Sequence, residues 1–300
     1  MSQHDSTLQA GIPEAEFHID ESLVKNLLLD QCPQYSHLPL QVLGNGWDNS
    51  LFRLGEELLV RLPRRQFAVS FASNEQRYLK IIAPRLPLPV PVPVYCGTPA
   101  CTYPWPWSIT PWIIGNTADK SPPHANSAKQ WADFLRMLHY PASENAPQNP
   151  YRSLPLTSYL EKFEQRYQSL RDKNAINHQA VNAIWQTGLE SVMAFSPCWI
   201  HGDLHSMNIL CANGKFTGVI DWGDMCVGDS ATDLASFWVL FDGQTAEHSI
   251  QHDYRASVAQ IQRAKASAVL FALVLLDTGL DCNEQQVNIA RTILNNLGAN

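Results

Sequence analysis

Apolar positions change their rhythm near residue 115. Before it, short apolar runs at Leu40–Leu43, Leu51–Leu54 and Leu58–Leu62 are separated by Gly44-Asn45-Gly46 and Gly55-Glu56-Glu57, which predicts three antiparallel strands joined by tight turns. A short helix precedes them, with Leu23, Leu27 and Leu28 at helical spacing behind a cap at Asp20. A second helix follows, where Ser73-Asn74-Glu75-Gln76 fits a capping box and Phe71, Glu75, Tyr78, Leu79 and Ile82 share one face. Glu75 thus lies in an apolar stripe. It either stays in solvent as the helix frays or faces inward against a cation, because an unpaired buried carboxylate is costly.

Five prolines between Pro84 and Pro93 rule out helix and central strand there, so the chain runs extended. The apolar run Ser108–Ile114, ended by Gly115, marks a lobe boundary. Beyond it the spacing is helical over Ser127–Tyr140, Ser158–Leu170, Gln179–Phe195, Ala231–Phe241 and Tyr254–Leu276. Between the third and fourth of these lies an irregular stretch, Trp199–Asp229, in which two short apolar runs flank Asn213-Gly214 and predict a hairpin. The whole is α+β, with a small antiparallel lobe and a mostly helical one.

Composition narrows the function classes. The 300 residues are 45% apolar and carry a net charge of −7, which excludes wholesale disorder and gives no electrostatic footprint for nucleic acid. Seven scattered cysteines with no C-x-x-C pair argue against a disulfide framework or a zinc knuckle. Met1–Glu16 lacks the features of a secretory signal, and the longest apolar stretch, Ala266–Leu276, is about half of what spans a bilayer. We expect a cytoplasmic protein without membrane contact, monomeric or weakly homodimeric.

The acidity is concentrated. Residues 201–254 hold eight carboxylates (Asp203, Asp221, Asp224, Asp229, Asp233, Asp242, Glu247, Asp253) and one lysine, Lys215. Within this stretch His201-Gly202-Asp203-Leu204-His205-Ser206-Met207-Asn208 precedes Asp221, which follows the apolar run Gly218-Val219-Ile220. Phosphoryl transfer needs a carboxylate to orient a hydroxyl, and amide and carboxylate oxygens to hold Mg²⁺ on the phosphates. Asp203, Asn208 and Asp221 are that set, and a hairpin between Asn208 and Asp221 would bring the two ligand positions together.

These motifs resemble those of the aminoglycoside phosphotransferase family of the protein-kinase-like fold. The likeness comprises His201–Asn208, Ile220-Asp221-Trp222-Gly223, Gly228-Asp229-Ser230-Ala231-Thr232-Asp233-Leu234-Ala235, Gly46-Trp47-Asp48-Asn49 and Val60-Arg61-Leu62-Pro63. It implies a bilobal fold: a flexible tail over 1–19, an N-lobe over 20–110 with an antiparallel sheet and one main helix, a hinge at 111–115, and a helical C-lobe over 116–300 carrying the catalytic loop and acceptor site. It implies Asp203 as catalytic base, Asn208 and Asp221 as magnesium ligands, and His201 and Asp233 as structural supports. For the nucleotide, ATP or GTP, it implies Gly46, Asp48, Asn49 and Ser50 at the phosphates, Arg61 paired with an inward Glu75, and Thr110, Trp112 and Ile113 at the base. The kinase lysine is replaced by Arg61, whose fork meets phosphate in a different geometry. No A-P-E or D-F-G Phe is present, so regulated protein kinase activity is not supported.

The acceptor is then a small hydroxylated molecule. With little positive charge nearby in sequence, Asp224, Asp242 and Asp253 favour an aminoglycoside-like polycation, with Trp238 as a further contact, although its spacing also fits core. A macrolide or a sugar or amino-alcohol metabolite is the alternative. Two other classes stand behind: a metal-dependent hydrolase built on His201, Asp203 and His205, and a non-catalytic kinase-like binding module. Trp105, Trp107 and Trp112 serve packing better than adenine stacking. His124, His139, His178, His248 and His252 lack acid partners at recognisable spacing, and Glu161 and Glu164 read as a solvated helix face.

Overall fold

The computed structural model describes residues 13–143, 145–191 and 196–300. Residues 1–12 of the expected tail and the end of the helix expected to reach Phe195 lie outside them. The chain divides into two compact units. One comprises the chain up to Lys80 with Pro91–Trp112, the other Ile81–Val90 with Ile113–Asn300.

The first unit is a five-stranded sheet with two helices. In chain order it holds α1 (Glu21–Gln31), β1 (Leu40–Asn45), β2 (Asn49–Leu54), β3 (Leu58–Pro63), α2 (Val69–Ile82, its last two residues in the second unit), β4 (Tyr95–Gly97) and β5 (Trp107–Pro111). The strand order is β1-β2-β3-β5-β4, with every neighbouring pair antiparallel. The three predicted strands form as a meander because glycine-containing turns separate them. Along β2 alternate residues Ser50, Phe52 and Leu54 are buried. They meet a core of Val24, Leu27, Leu28, Val60, Leu62, Trp107 and Ile109.

Two expectations change here. The helix expected to start at the Ser73 capping box begins a turn earlier, at Val69, continuing a 3₁₀ turn over Gln66–Ala68. Ser73 Oγ donates to Val69 O at 2.8 Å as a mid-helix residue. The tail is also shorter than expected, since Phe17 packs edge-on against Tyr103 and Trp105. Trp105 and Trp107 are buried in this core, as packing requires.

The second unit contains β6 (Asn116–Thr117), α3 (Ala128–Leu138), α4 (Leu160–Asp172), α5 (His178–Glu190), β7 (Cys198–Ile200), β8 (Ile209–Ala212), β9 (Lys215–Val219), β10 (Cys226–Gly228), α6 (Ala231–Leu234), α7 (Ser236–Leu240), α8 (Gly243–Ser249), α9 (Val258–Gly279) and α10 (Glu284–Asn296). β8 and β9 are the predicted hairpin, turned by Asn213 and Gly214 at φ +52° and +72°. β6 joins β8, and β7 pairs with β10. The proline run lies along β9, where Val219 N–H donates to Pro89 O at 3.0 Å.

α9 is the axis of this unit. It is long and apolar enough to cross a bilayer, yet Ala264, Ala268, Val269, Ala272, Leu273 and Leu276 are fully buried against its neighbours. It starts at Val258 rather than Tyr254, because Ile250–Tyr254 forms a wide π turn and Arg255 adopts φ +67° before Ser257 and Gln260 build a reciprocal cap. The helix expected over Ala231–Phe241 is broken between Leu234 and Ser236 into α6 and α7.

α5 approaches α9 closely at Gly188, where a Cβ would lie 2.3 Å from Ala266 Cβ. Alanine ordinarily stabilises a helix interior by about 1 kcal/mol over glycine, whereas overpacking costs about 1–3 kcal/mol. Gly188→Ala is therefore expected to lower the urea midpoint, and a raised midpoint would show that α5 moves away freely.

Candidate active site

In the first unit, the β1–β2 turn is held by its own chain. Gly46 N–H donates to Asn49 O at 2.8 Å, and Ser50 Oγ donates to Asn45 Oδ1 at 2.7 Å. Arg64 N–H donates to Asp48 O at 2.8 Å, while Arg65 Nη2 lies 2.8 Å from the Asp48 carboxylate. Gly46, Asp48, Asn49 and Ser50 thus form one braced tip. Behind it Arg61 on β3 and Glu75 on α2 make a close ion pair, both buried. This settles the two readings of Glu75: it faces inward with a cationic partner.

The strand expected to receive a base is more constrained. Thr110 is fully buried, and among the described residues its Oγ1 has no hydrogen-bond partner. Trp112 N–H already donates to Glu57 O at 2.7 Å, and Arg53 stacks on its ring at 3.8 Å. The donor expected from Trp112 is therefore engaged within the sheet. Ile113 begins the second unit and packs at Gly218.

In the second unit, the catalytic-loop motif runs from the end of β7 to the start of β8. Asp233, fully buried on α6, accepts from His201 N–H at 2.7 Å and Gly202 N–H at 2.9 Å. His139 Nε2 reaches the same carboxylate at 3.2 Å, and its Nδ1 lies 2.8 Å from Tyr254 Oη. His139 therefore does have an acid partner, one the sequence spacing did not reveal. Gly202 sits at φ +85°, and a Cβ there would crowd Asp224 O at 3.0 Å and Arg152 Cγ at 3.2 Å. Only glycine suits this position.

His201 wedges the loop. Its Nδ1 accepts from Asp203 N–H at 3.2 Å and its Nε2 lies 3.0 Å from Ile220 O, with the ring on Trp222 at 4.7 Å. Both ring nitrogens are engaged, so a hydrolytic metal on His201 does not fit. Among the described residues, no group of three His, Cys, Asp or Glu side chains could hold a metal ion.

Asp203 is surrounded by donors. Arg152 Nη2 lies 2.7 Å from Oδ1, while Asn208 Nδ2 and His205 Nε2 lie 3.2 and 3.3 Å from Oδ2. Burial alone would raise its pKa, but the charges of Arg152 and His205 outweigh this and hold the carboxyl well below the usual carboxylate range. Burial lowers and Asp203 raises the His205 pKa, with a net rise. Ile220 N–H donates to Asn208 O at 2.9 Å, bringing Asp221 beside Asn208. Asp221 itself adopts φ +61°, a left-handed conformation that Asp tolerates better than most residues. Since Asn208 spends Nδ2 on Asp203, its amide oxygen and the Asp221 carboxylate are two hard oxygens. Magnesium is held in this manner, by few protein oxygens supplemented by phosphates.

Arg152, which no local sequence pattern marks, is the cation against Asp203. It stands in a turn closed by Asn149, whose Oδ1 accepts from Tyr151 N–H at 2.8 Å. Asn149 Nδ2 donates to Asp224 Oδ1 at 2.7 Å, and Arg152 reaches Asp224 Oδ2 at 3.4 Å. Burial nevertheless raises the Asp224 pKa. The expectation of poorly paired acidic residues therefore fails. Asp229 is paired with Arg263 at 2.6 Å and Glu247 with Lys265. Asp242 caps α8 through Thr245 N–H at 3.0 Å, and Asp253 accepts from Ser249 Oγ at 2.8 Å. Trp238 is buried in the core rather than offered to an acceptor.

A sequence profile of the APH phosphotransferase enzyme family matches residues 39–266, and the chain belongs to that family. Its fold is the protein-kinase-like one. An aminoglycoside 3'-phosphotransferase of Escherichia coli is 29% identical over 140 residues, 44% of this chain and 51% of that protein. The uncharacterised protein YcbJ of Bacillus subtilis is 26% identical over 202 residues, 62% of this chain. The chain spans 64% and 51% of the lengths of these two curated relatives. Among solved structures, the GDP complex of aminoglycoside 2'-phosphotransferase-IIIa superposes with a TM-score of 0.68 at 17% identity, covering 93% of this chain and 99% of that one. The macrolide 2'-phosphotransferase MphH of Brachybacterium faecium gives 0.59 at 20%, covering 89% and 97%.

Removing the Asp233 carboxylate leaves two buried N–H groups without acceptors, each costing about 1–3 kcal/mol. Asp233→Ala is expected to lose about 2–5 kcal/mol in urea unfolding, and a loss below about 0.5 kcal/mol would contradict the bracing role. The Asp203 pKa is depressed by folding, so its contribution is present above the unfolded value of about 3.9 and is lost as pH falls through the folded value. The stability deficit of Arg152→Met should accordingly be largest near neutrality and narrow below about pH 4; a deficit independent of pH would exclude the coupling.

Proposed function

We propose that this protein transfers the γ-phosphoryl group of ATP or GTP to a hydroxyl of a small molecule. The observation that carries the reading is the Asp203 carboxylate, held ionised by Arg152 and His205 and hydrogen-bonded by Asn208 Nδ2 at 3.2 Å, with Asp221 next in the chain to Ile220, whose N–H donates to Asn208 O. A carboxylate so placed orients an acceptor hydroxyl and takes its proton as the oxygen attacks phosphorus, a step in which positioning matters more than basicity. Asn208 and Asp221 would hold Mg²⁺, whose charge offsets that of the phosphates. Arg61, fixed by Glu75, offers a guanidinium fork to phosphate oxygens.

The names of the relatives support a hydroxylated acceptor, since they act on aminoglycosides and macrolides. Activity is to be sought with Mg²⁺ and either nucleotide across aminoglycosides, macrolides, sugars and amino alcohols. Asp203→Asn is expected to lower turnover about 10²- to 10⁴-fold while equilibrium binding of Mg-nucleotide persists. Unchanged turnover in that variant would refute the role of Asp203.

A further inference from the structure

We propose that Arg152 is a positioning residue of the phosphoryl transfer: it staples the loop carrying Asp203 to the turn that follows Asp221, and so aims the Asp203 carboxylate. The inference rests on the phosphotransferase reading for the reaction, and on contacts within the second unit for the staple.

β7 and β10 pair as far as Ile200 opposite Cys226, and among the described residues their ladder has no further rung. Beyond it one backbone runs on to Asp203, while the other arrives from Asp221 through the short turn Trp222–Asp224. The two lie close, since a Cβ on Gly202 would meet Asp224 O at 3.0 Å. The opening is thus faced by two carboxylates, Asp203 and Asp224, which repel one another. Arg152 Nη2 closes it, 2.7 Å from Asp203 Oδ1 and 3.4 Å from Asp224 Oδ2.

The arm itself is framed. Asn149 is buried, and its carbonyl accepts from the N–H groups of Arg152 and Ser153 at 3.2 and 2.9 Å. Its own N–H donates to Ser153 Oγ at 2.8 Å, and its Nδ2 donates to Asp224 Oδ1 at 2.7 Å. Tyr159 Oη, just before α4, donates to Tyr151 O at 2.7 Å. Surface ion pairs without such a frame contribute little, whereas here the turn delivers the guanidinium to one place.

The consequence falls on one oxygen. Asp203 Oδ2 faces Asn208 Nδ2 and His205 Nε2, while Oδ1 has Arg152 alone. An ionised carboxylate has about four lone-pair sites, so Oδ1 keeps one for the acceptor hydroxyl, and Arg152 aims that same oxygen. In the reaction the carboxylate takes the hydroxyl proton, the acceptor oxygen bonds the γ-phosphorus, and the bond to the nucleoside diphosphate breaks. Without the staple the carboxylate is free to turn, and water, which needs less orientation, competes for the phosphorus.

The test compares wild type, Arg152→Met, Asp224→Asn, which keeps an oxygen for Asn149, and the double variant. Hydrogen exchange at neutral pH reads the staple without any reaction. Both single variants should exchange faster over 201–208 and 220–226 and remain unchanged in α9. Phosphorus NMR with Mg-ATP or Mg-GTP and kanamycin, erythromycin, glucose or ethanolamine then divides the product between phosphate monoester and inorganic phosphate. Arg152→Met is expected to lower kcat about ten- to hundredfold, to hold the nucleotide KM within about twofold and to raise the inorganic phosphate share. Asp224→Asn should move the share the same way, and the double variant should lie within about twofold of Arg152→Met, because the two residues are ends of one staple. Exchange unmoved in both segments or raised equally in α9, an unchanged product share, or single effects that multiply in the double variant would overturn the proposal. Faster exchange of the expected kind with no diphosphate release by wild type on any acceptor would instead count against the phosphotransferase reading and leave the staple standing.

Discussion

The second unit is organised around one buried carboxylate. Asp233 has no exposure to solvent, so its charge must be met by donors within the protein. It takes them from the backbone of His201 and Gly202 and from the His139 ring. Those bonds fix the entry to the catalytic loop, and the left-handed glycine between them turns the chain so that Asp203 follows at once. From there the loop is self-consistent: His201 bonds Asp203 N–H and Ile220 O, and Asn208 bonds both Asp203 and, through its carbonyl, Ile220. Asp203, Asn208 and the start of the segment carrying Asp221 are set by a chain of hydrogen bonds that begins at α6.

Charge is distributed with the same economy. Arg152 bridges two carboxylates that respond in opposite directions, Asp203 held ionised and Asp224 pushed up by burial. The separation fits phosphoryl transfer, where a carboxylate that stays ionised and in place serves better than a strong base that must first lose a proton. In the first unit Arg61 and Glu75 apply the same rule, since neither could be buried without the other.

The sequence made legible whatever is local. Gly44-Asn45-Gly46 and Asn213-Gly214 announce their turns, and the motif from His201 to Asn208 with Asp221 names the chemistry because those groups lie close along the chain. What stayed hidden depends on distant partners. Arg152 is 51 residues from Asp203 and His139 is 94 from Asp233, and no local pattern marks either. The stretch 201–254 looked strongly negative because Arg152, Arg263 and Lys265 lie outside it. The start of α2 departs from its local pattern for a related reason: Ser73 and Gln76 satisfy a capping pattern, but the packing of Val69 and the pairing of Glu75 with Arg61 place them mid-helix. Ile289, Ala290, Ile293 and Leu294 carry the helical periodicity of α10.

In the proposed function Asp203, Asn208 and Asp221 together move a phosphoryl group onto a hydroxyl rather than onto water. Phosphorus NMR of a complete reaction with Mg-nucleotide and a turned-over acceptor tests it most directly. A new phosphate monoester resonance equal in amount to the nucleoside diphosphate formed is expected. Diphosphate accompanied only by inorganic phosphate would contradict it.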